Sequence, residues 1–267
     1  MRQPVLFVGH GSPMNAIEDN AFRREWQRLG TLLTRPRAIL VVSAHWETPD
    51  VAVTAMARPR TIHDFGGFPP ALHAAQYPAP GDPALAARVA ELLAPALADE
   101  HFPQVRMDQD WGLDHGTWSV LLPMFPAADI PVVQLSLARH RDGPWHYQLA
   151  RHLAPLRDEG VLIVASGDMV HNLRLLRWPL DRAEPWALHA QQRFNRLIAE
   201  GAHGALQHYE TLGAEAQLAI PTPEHYLPLL YALALQTDDD EIRTFNDDVL
   251  GSLSMTSLII GAQPAAA

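Results

Sequence analysis

The sequence predicts an α/β fold, a single domain with a central mixed, mostly parallel sheet flanked by helices. Three observations lead there. Residues 4–8, 38–46, 131–137 and 161–165 open as unbroken aliphatic runs, the pattern of strands buried on both faces. Segments with helical spacing of apolar residues alternate with them. At 267 residues the chain supports one large core, because a chain of roughly 300 residues buries about three quarters of its extended surface. No composition shift or low-complexity linker divides it, so one domain is expected over residues 1–262, with a disordered tail at 263–267.

Each element has its own signal. Residues 4–8 form a first strand that runs into Gly9-His10-Gly11-Ser12-Pro13-Met14-Asn15, where two glycines around a histidine imply a sharp turn and a close backbone approach. Asn20 caps a helix carrying Phe22, Trp26, Leu29 and Leu33, which Pro36 ends. The strand 38–46 follows and finishes on His45-Trp46, and residues 51–56 make another strand. A long Gly- and Pro-rich loop spans 57–81, a length that usually carries function. Asp82-Pro83 is an N-cap followed by a first-turn proline, opening a helix to about Ala98. A short strand at 104–107 leads to a short helix after Trp111-Gly112-Leu113-Asp114-His115-Gly116-Thr117-Trp118. Strand 131–137, an amphipathic helix over 145–157 and strand 161–165 complete the alternation. Helices are expected at 185–200, within 201–218, and from Thr222-Pro223 through Leu227, Leu230 and Leu233. Two strands, at 242–245 and 254–260, close the chain.

Composition excludes several function classes. A formal net charge of -10 argues against nucleic acid, which rewards clustered Lys and Arg. With no cysteine there is neither a disulfide nor a thiolate metal site, so any metal is held by nitrogen and oxygen. No signal peptide or membrane span is visible, and a cytoplasmic protein without membrane partners is expected.

Histidine, at 14 copies, is the chemical outlier. His10, His45 and His171 each follow an apolar strand directly or within a few residues. Singly, each has an ordinary use: bonding a turn, packing on Trp46, or starting a helix. If the strands are parallel, however, all three lie at one sheet edge, where open α/β sheets bind ligands. His225, in the expected first turn of a helix, is a fourth candidate, since a histidine kept neutral there is a competent metal ligand. Its neighbour Glu224 points about 100° away on a helix, so one of the two faces the site. His225 gives a three-histidine set and Glu224 a two-His-one-carboxylate triad. His115, flanked by Trp111 and Trp118, has the chemistry of an acid or base, or the bland use of a capping residue. His63 and Asp64 either join it or only shape their loop. There is no GxSxG elbow, P-loop or HExxH motif.

The motif Gly9-His10-Gly11-Ser12-Pro13-Met14-Asn15 belongs with five others: Ser43-Ala44-His45-Trp46, His63-Asp64-Phe65-Gly66-Gly67, Asp114-His115-Gly116-Thr117-Trp118, Val170-His171-Asn172-Leu173-Arg174 and Pro223-Glu224-His225-Tyr226-Leu227-Pro228. Together, in this order and over nearly the whole chain, they resemble the class III extradiol ring-opening dioxygenases of the LigB type, most closely the single-domain 4,5-DOPA extradiol dioxygenase branch. The resemblance implies one divalent metal per subunit, Zn(2+) or Fe(2+), held by His10, His45 and His225. His171 is implied either to complete the metal shell or to act as acid–base, and His115 to serve the substrate pocket as the other catalytic histidine. His63, Trp46 and Trp118 are implied as substrate-binding residues, with Trp111 and Phe65 adding apolar wall. The carboxylate ligand of the protocatechuate-cleaving relatives is replaced here by His225, with Glu224 the lesser alternative. The implied reaction opens a small aromatic diol such as L-DOPA with O2, in a monomer or small homo-oligomer. Zinc has no redox chemistry, so Fe(II) is the competent form. Two rivals stand beside it, a zinc hydrolase using the same histidines and a MEMO-like binding protein without activity.

Overall fold

The computed structural model describes residues 2–101, 103–180 and 182–261. The expected tail at 263–267 lies outside the described residues. In chain order the elements are β1 (Val5–Gly9), α1 (Ala21–Leu32), β2 (Ala38–Thr48), β3 (Ala52–Thr54), α2 (Pro70–His73), α3 (Pro83–Leu97), β4 (Arg106–Asp108), α4 (His115–Met124), β5 (Val132–Ala138), α5 (Gly143–Arg151), α6 (Pro155–Asp158), β6 (Val161–Gly167), α7 (Pro185–Ala199), α8 (His203–Gln207), α9 (Ala214–Ala219), α10 (Leu227–Ala234), β7 (Ile242–Phe245), β8 (Val249–Leu250), β9 (Leu253–Ser254) and β10 (Ser257–Ile260).

Eight strands form one sheet in the order β4-β3-β5-β2-β6-β1-β10-β7, and β8 pairs with β9 apart from it. The four central strands, β5, β2, β6 and β1, are mutually parallel. β3 and β10 join this block antiparallel, so the sheet is mixed with a parallel heart, as the sequence predicts. Alternation along the central strands feeds two cores. Leu40, Phe7 and Ile163 pack on the face covered by α3, α5, α7 and α10, whereas Ile39, Leu6 and Leu162 pack with α1 and α4 on the other. Burial on both faces is why these strands read as continuous apolar runs.

Parallel pairing aligns the strand ends. Gly9 of β1 lies opposite Gly167 of β6, and Ser43 of β2 opposite Ser166 of β6. Residues 10, 45 and 168–171 therefore emerge on the same carboxyl edge. β2 runs past its predicted end to Thr48, and its register with β5 shifts between Val42 and Glu47. That irregularity breaks the ladder where His45 projects. The adjacent backbone also explains the glycines around His10: Gly11 adopts φ +55°, a conformation that costs a Cβ-bearing residue energy, and Met255 packs against both Gly9 and Gly11.

Several predicted boundaries moved for physical reasons. The helix predicted over 145–157 is two pieces. Asp142 caps α5 through Trp145 N, and Pro155, with no N–H to give, starts α6. The helix predicted from Thr222 begins at Leu227, because the Thr222 hydroxyl donates to Glu224 Oε1 instead of capping backbone, and Tyr226 N and Leu227 N both turn back on Pro223 O. The strand predicted over 254–260 divides into β9 and β10 around Met255 and Thr256, and the loop 57–81 holds α2.

Arg157, fully buried, ties the two ends of this frame. Its guanidinium donates to Gln3 O (3.0 Å) just before β1, to Leu235 O (2.7 Å) just after α10, and to both oxygens of Asp240. Arg157→Ala removes the guanidinium from two carbonyls and from Asp240, whose carboxylate keeps only the Thr237 donors and the more distant Arg2. It is expected to destabilise the protein by about 3–5 kcal/mol, read as a lowered urea midpoint, and an unchanged midpoint would refute the clamp.

Candidate metal centre

Five histidines from five segments meet at the carboxyl edge. His10 follows β1, His45 lies in β2, His115 opens α4, His171 follows β6, and His225 sits in the turn before α10. Ring centroids of His45 lie 5.0 Å from His10, 5.0 Å from His225 and 3.8 Å from His115. His171 stacks on His225 at 3.5 Å, with the planes 5° apart. His10, His115 and His225 are buried, whereas His45 and His171 are partly open, so access is from their side.

Hydrogen-bond partners assign the tautomers. Ser166 Oγ spends its one proton on Gly116 O (2.5 Å), so it accepts from His10 Nδ1 at 3.0 Å. His225 Nδ1 faces Glu224 Oε1 at 3.2 Å, and His45 Nδ1 faces Asp64 Oδ2 at 3.5 Å. Each Nδ1 thus has an acceptor, and each Nε2 keeps its lone pair. His10 Nε2 and His45 Nε2 stand 3.1 Å apart, while His225 Nε2 is buried without a partner. Lone pairs this close repel unless a cation lies between them. Donor nitrogens of His10, His45 and His225 all fall within 4.8 Å of one another, so these residues could hold a divalent ion.

Burial keeps the set neutral. Desolvation, then the neighbouring histidines, hold His10 and His225 well below the usual imidazole range. Burial and His115 lower His45 to about 3, despite Asp64, and burial lowers His171 to about 4, despite Glu224. Neutral imidazole is the form a metal needs. His225 lies before α10, so burial and not the helix terminus keeps it neutral. Of the two neighbours, His225 is grouped with His10 and His45 as a close donor, whereas Glu224 Oε1 accepts from Thr222 and faces His225 Nδ1.

One participant had no sequence signal beyond its place two residues past Ser166. Asp168 is buried, its Oδ1 accepts from Gly11 N (3.1 Å), and its unpartnered Oδ2 lies 3.4 Å from His10 Nε2. Burial raises its carboxyl well above the usual range. With His171 and His225 it forms a second group of close donors. Gly167 is required beside it, since a Cβ there would overlap His225 O.

Of the expected substrate-binding residues, Trp46 and Trp118 are buried and His63 is partly exposed. Trp118 has no accessible surface and donates to Ile62 O (2.8 Å), tying α4 to the loop. Trp46 stacks on Trp111 at 5.7 Å. His63 bonds Ala75 O at 2.8 Å and packs on Trp118. Phe65, edge-on to His115 at 5.5 Å, is the aromatic wall residue that touches the cluster.

Comparison with known proteins adds an independent line. Residues 5–259 match a family described as the catalytic LigB subunit of aromatic ring-opening dioxygenase. A protein of Escherichia coli (strain K12) named 4,5-DOPA dioxygenase extradiol is 49% identical over 267 aligned residues, covering 97% of this chain and 95% of that one. One of Beta vulgaris with the same name is 39% identical, covering 93% and 92%. The crystal structure of an uncharacterized protein from Escherichia coli K12 superimposes with a TM-score of 0.81 at 45% identity, over 97% of this chain and 100% of that one.

The neutral cluster predicts an acid response. Four histidines, His10, His45, His171 and His225, have folded-state values below their unfolded one, so the unfolded chain binds more protons as pH falls from about 6.5. Their stabilisation is complete above that pH and is lost toward about 4. Asp168 and Asp114, both raised, act in the opposite direction but are fewer. The metal-free protein should therefore unfold at lower urea at pH 5 than at pH 7; equal midpoints would count against the neutral cluster.

Proposed function

Because this chain belongs to the LigB family of aromatic ring-opening dioxygenases, we propose that it opens the ring of a catechol such as L-DOPA with dioxygen, by extradiol cleavage at a single non-haem metal ion. The observation that supports this reading is that donor nitrogens of His10, His45 and His225 lie within 4.8 Å of one another, with an acceptor facing Nδ1 of each ring. Those three are the proposed ligands, with Asp168 and His171 beside them. A ferrous ion bound there supplies Lewis acidity toward the catechol oxygens and the redox capacity that dioxygen requires, whereas zinc supplies only the first.

The chain's own groups do the rest. His171 is neutral at physiological pH and sits on the open side, so its ring can take a hydroxyl proton from the catechol and return it to the leaving oxygen. His115 stands across the cluster, 3.8 Å from His45 between ring centroids, as the second proton-handling group. Phe65 offers its ring beside His115, an apolar surface that suits a planar substrate and displaces water. All the groups named here come from one chain. A cytoplasmic setting belongs to the same reading, since that compartment is reducing and would keep iron ferrous.

Two outcomes test the reading. Anaerobic loading with Fe(II) followed by L-DOPA and a small catechol panel should give oxygen uptake coupled to ring opening. No uptake across the panel would sink it, and turnover equal without oxygen would indicate a hydrolase. In the second test, His45→Ala should lose metal in a chelator competition. His115→Ala should keep metal while kcat drops about 10²–10⁴-fold. Full metal binding by His45→Ala would overturn the ligand assignment.

A further inference from the structure

Asp64 reaches the cluster from the long loop between β3 and α3, and nothing in the scheme above uses it beyond its contact with His45. Its backbone is exposed, but its carboxylate turns inward, leaving the side chain 18% exposed. One oxygen, Oδ2, lies 3.5 Å from His45 Nδ1. The other, Oδ1, accepts from His115 N at 2.9 Å. It also lies 3.0 Å from His115 Nδ1, off the line of a straight hydrogen bond, so that contact is an electrostatic pair. A carboxylate beside the first N–H of α4 is further favoured by the helix terminus.

We propose that Asp64 is a positioning residue that sets the tautomer of two histidines at once. An ionised carboxylate only accepts, so a proton is stabilised on each Nδ1 that faces it. For His45 this leaves Nε2 free to face the cation. For His115 it leaves Nε2 free to accept a proton from the substrate. His45 and His115 lie on different elements, β2 and α4, and Asp64 is the charged group that faces both. The loop at 57–81 thereby acts on the chemistry through its single inward carboxylate. The inference deepens the reading above and rests on it for the roles of the two histidines.

Asp64→Asn separates positioning from simple support. The asparagine carbonyl can still accept from His115 N, so the loop keeps its anchor. Its amide, however, presents donors where the carboxylate accepted, which disfavours Nδ1–H on the facing imidazole. The test is two-bond ¹H–¹⁵N correlation spectroscopy of the histidine rings in the metal-free full chain, together with Zn(II) affinity by chelator competition. Wild type should show His45 and His115 protonated at Nδ1. Because the retained carbonyl occupies the Oδ1 position beside His115 and the amide faces His45, the variant should move His45 toward Nε2–H, leave His115 protonated at Nδ1, and bind Zn(II) about ten- to hundredfold more weakly. The proposal is overturned if wild-type His45 or His115 carries its proton on Nε2. It is equally overturned if the variant leaves the His45 tautomer unchanged, or if Zn(II) affinity stays within about twofold. Should the variant fail to fold, the wild-type spectrum decides alone. A wild type that opens no catechol, with both histidines protonated at Nδ1 and His45 responding to Asp64→Asn, would remove the proposed function and leave this inference standing.

Discussion

Three neutral imidazoles with their lone pairs turned on one buried point repel each other, and much of the surrounding structure holds them there. Ser166, Asp64 and Glu224 each face an Nδ1, which keeps the opposite nitrogen free. The parallel pairing of β1, β6 and β2 delivers the carriers of His10, Asp168 and His45 to the same edge, and Asp168 N binds His225 O (2.8 Å) to bring in the fourth segment. Removing such second-layer partners typically weakens metal binding without touching a ligand.

Buried and accessible residues of the cluster lie on different sides. His10, His225 and Asp168 lie on the buried side, against glycines that admit no side chain. His45, His171 and Asp64 retain exposure and form the side from which a small molecule would enter. The aromatic residues follow the same division. Trp118 and the Trp46–Trp111 stack are structural backing, and Phe65 is the ring that meets the cluster.

Much of this was legible in the chain because burial on both sheet faces leaves an unmistakable apolar run, and His10, His45 and His171 each stand close after such a run. The helix class of each segment was legible for the same reason, from spacing and caps such as Asn20 and Asp82. What the chain concealed depends on contacts between distant residues. Asp168 looks like any turn aspartate until Gly11 and His10 are folded over it. Thr222 looks like a cap until Glu224 takes its hydroxyl, and Trp118 looks like a pocket wall until Ile62 and Phe65 cover it. Asp64 is similar, since a single acid in a glycine-rich loop carries no sign of the two rings it will face.

The proposed ligands stand at positions 10, 45 and 225, and no short stretch of the chain brings them together. A nascent or partly folded chain therefore has no local fragment able to chelate an ion, in contrast to motifs whose ligands are a few residues apart. Capture is postponed until the most distant contacts of the topology have closed, the slow end of folding. From then on a bound ion adds to stability in proportion to the logarithm of its free concentration. An ion bound at the proposed ligands would thus stabilise only the folded chain and lend nothing to any partly folded form.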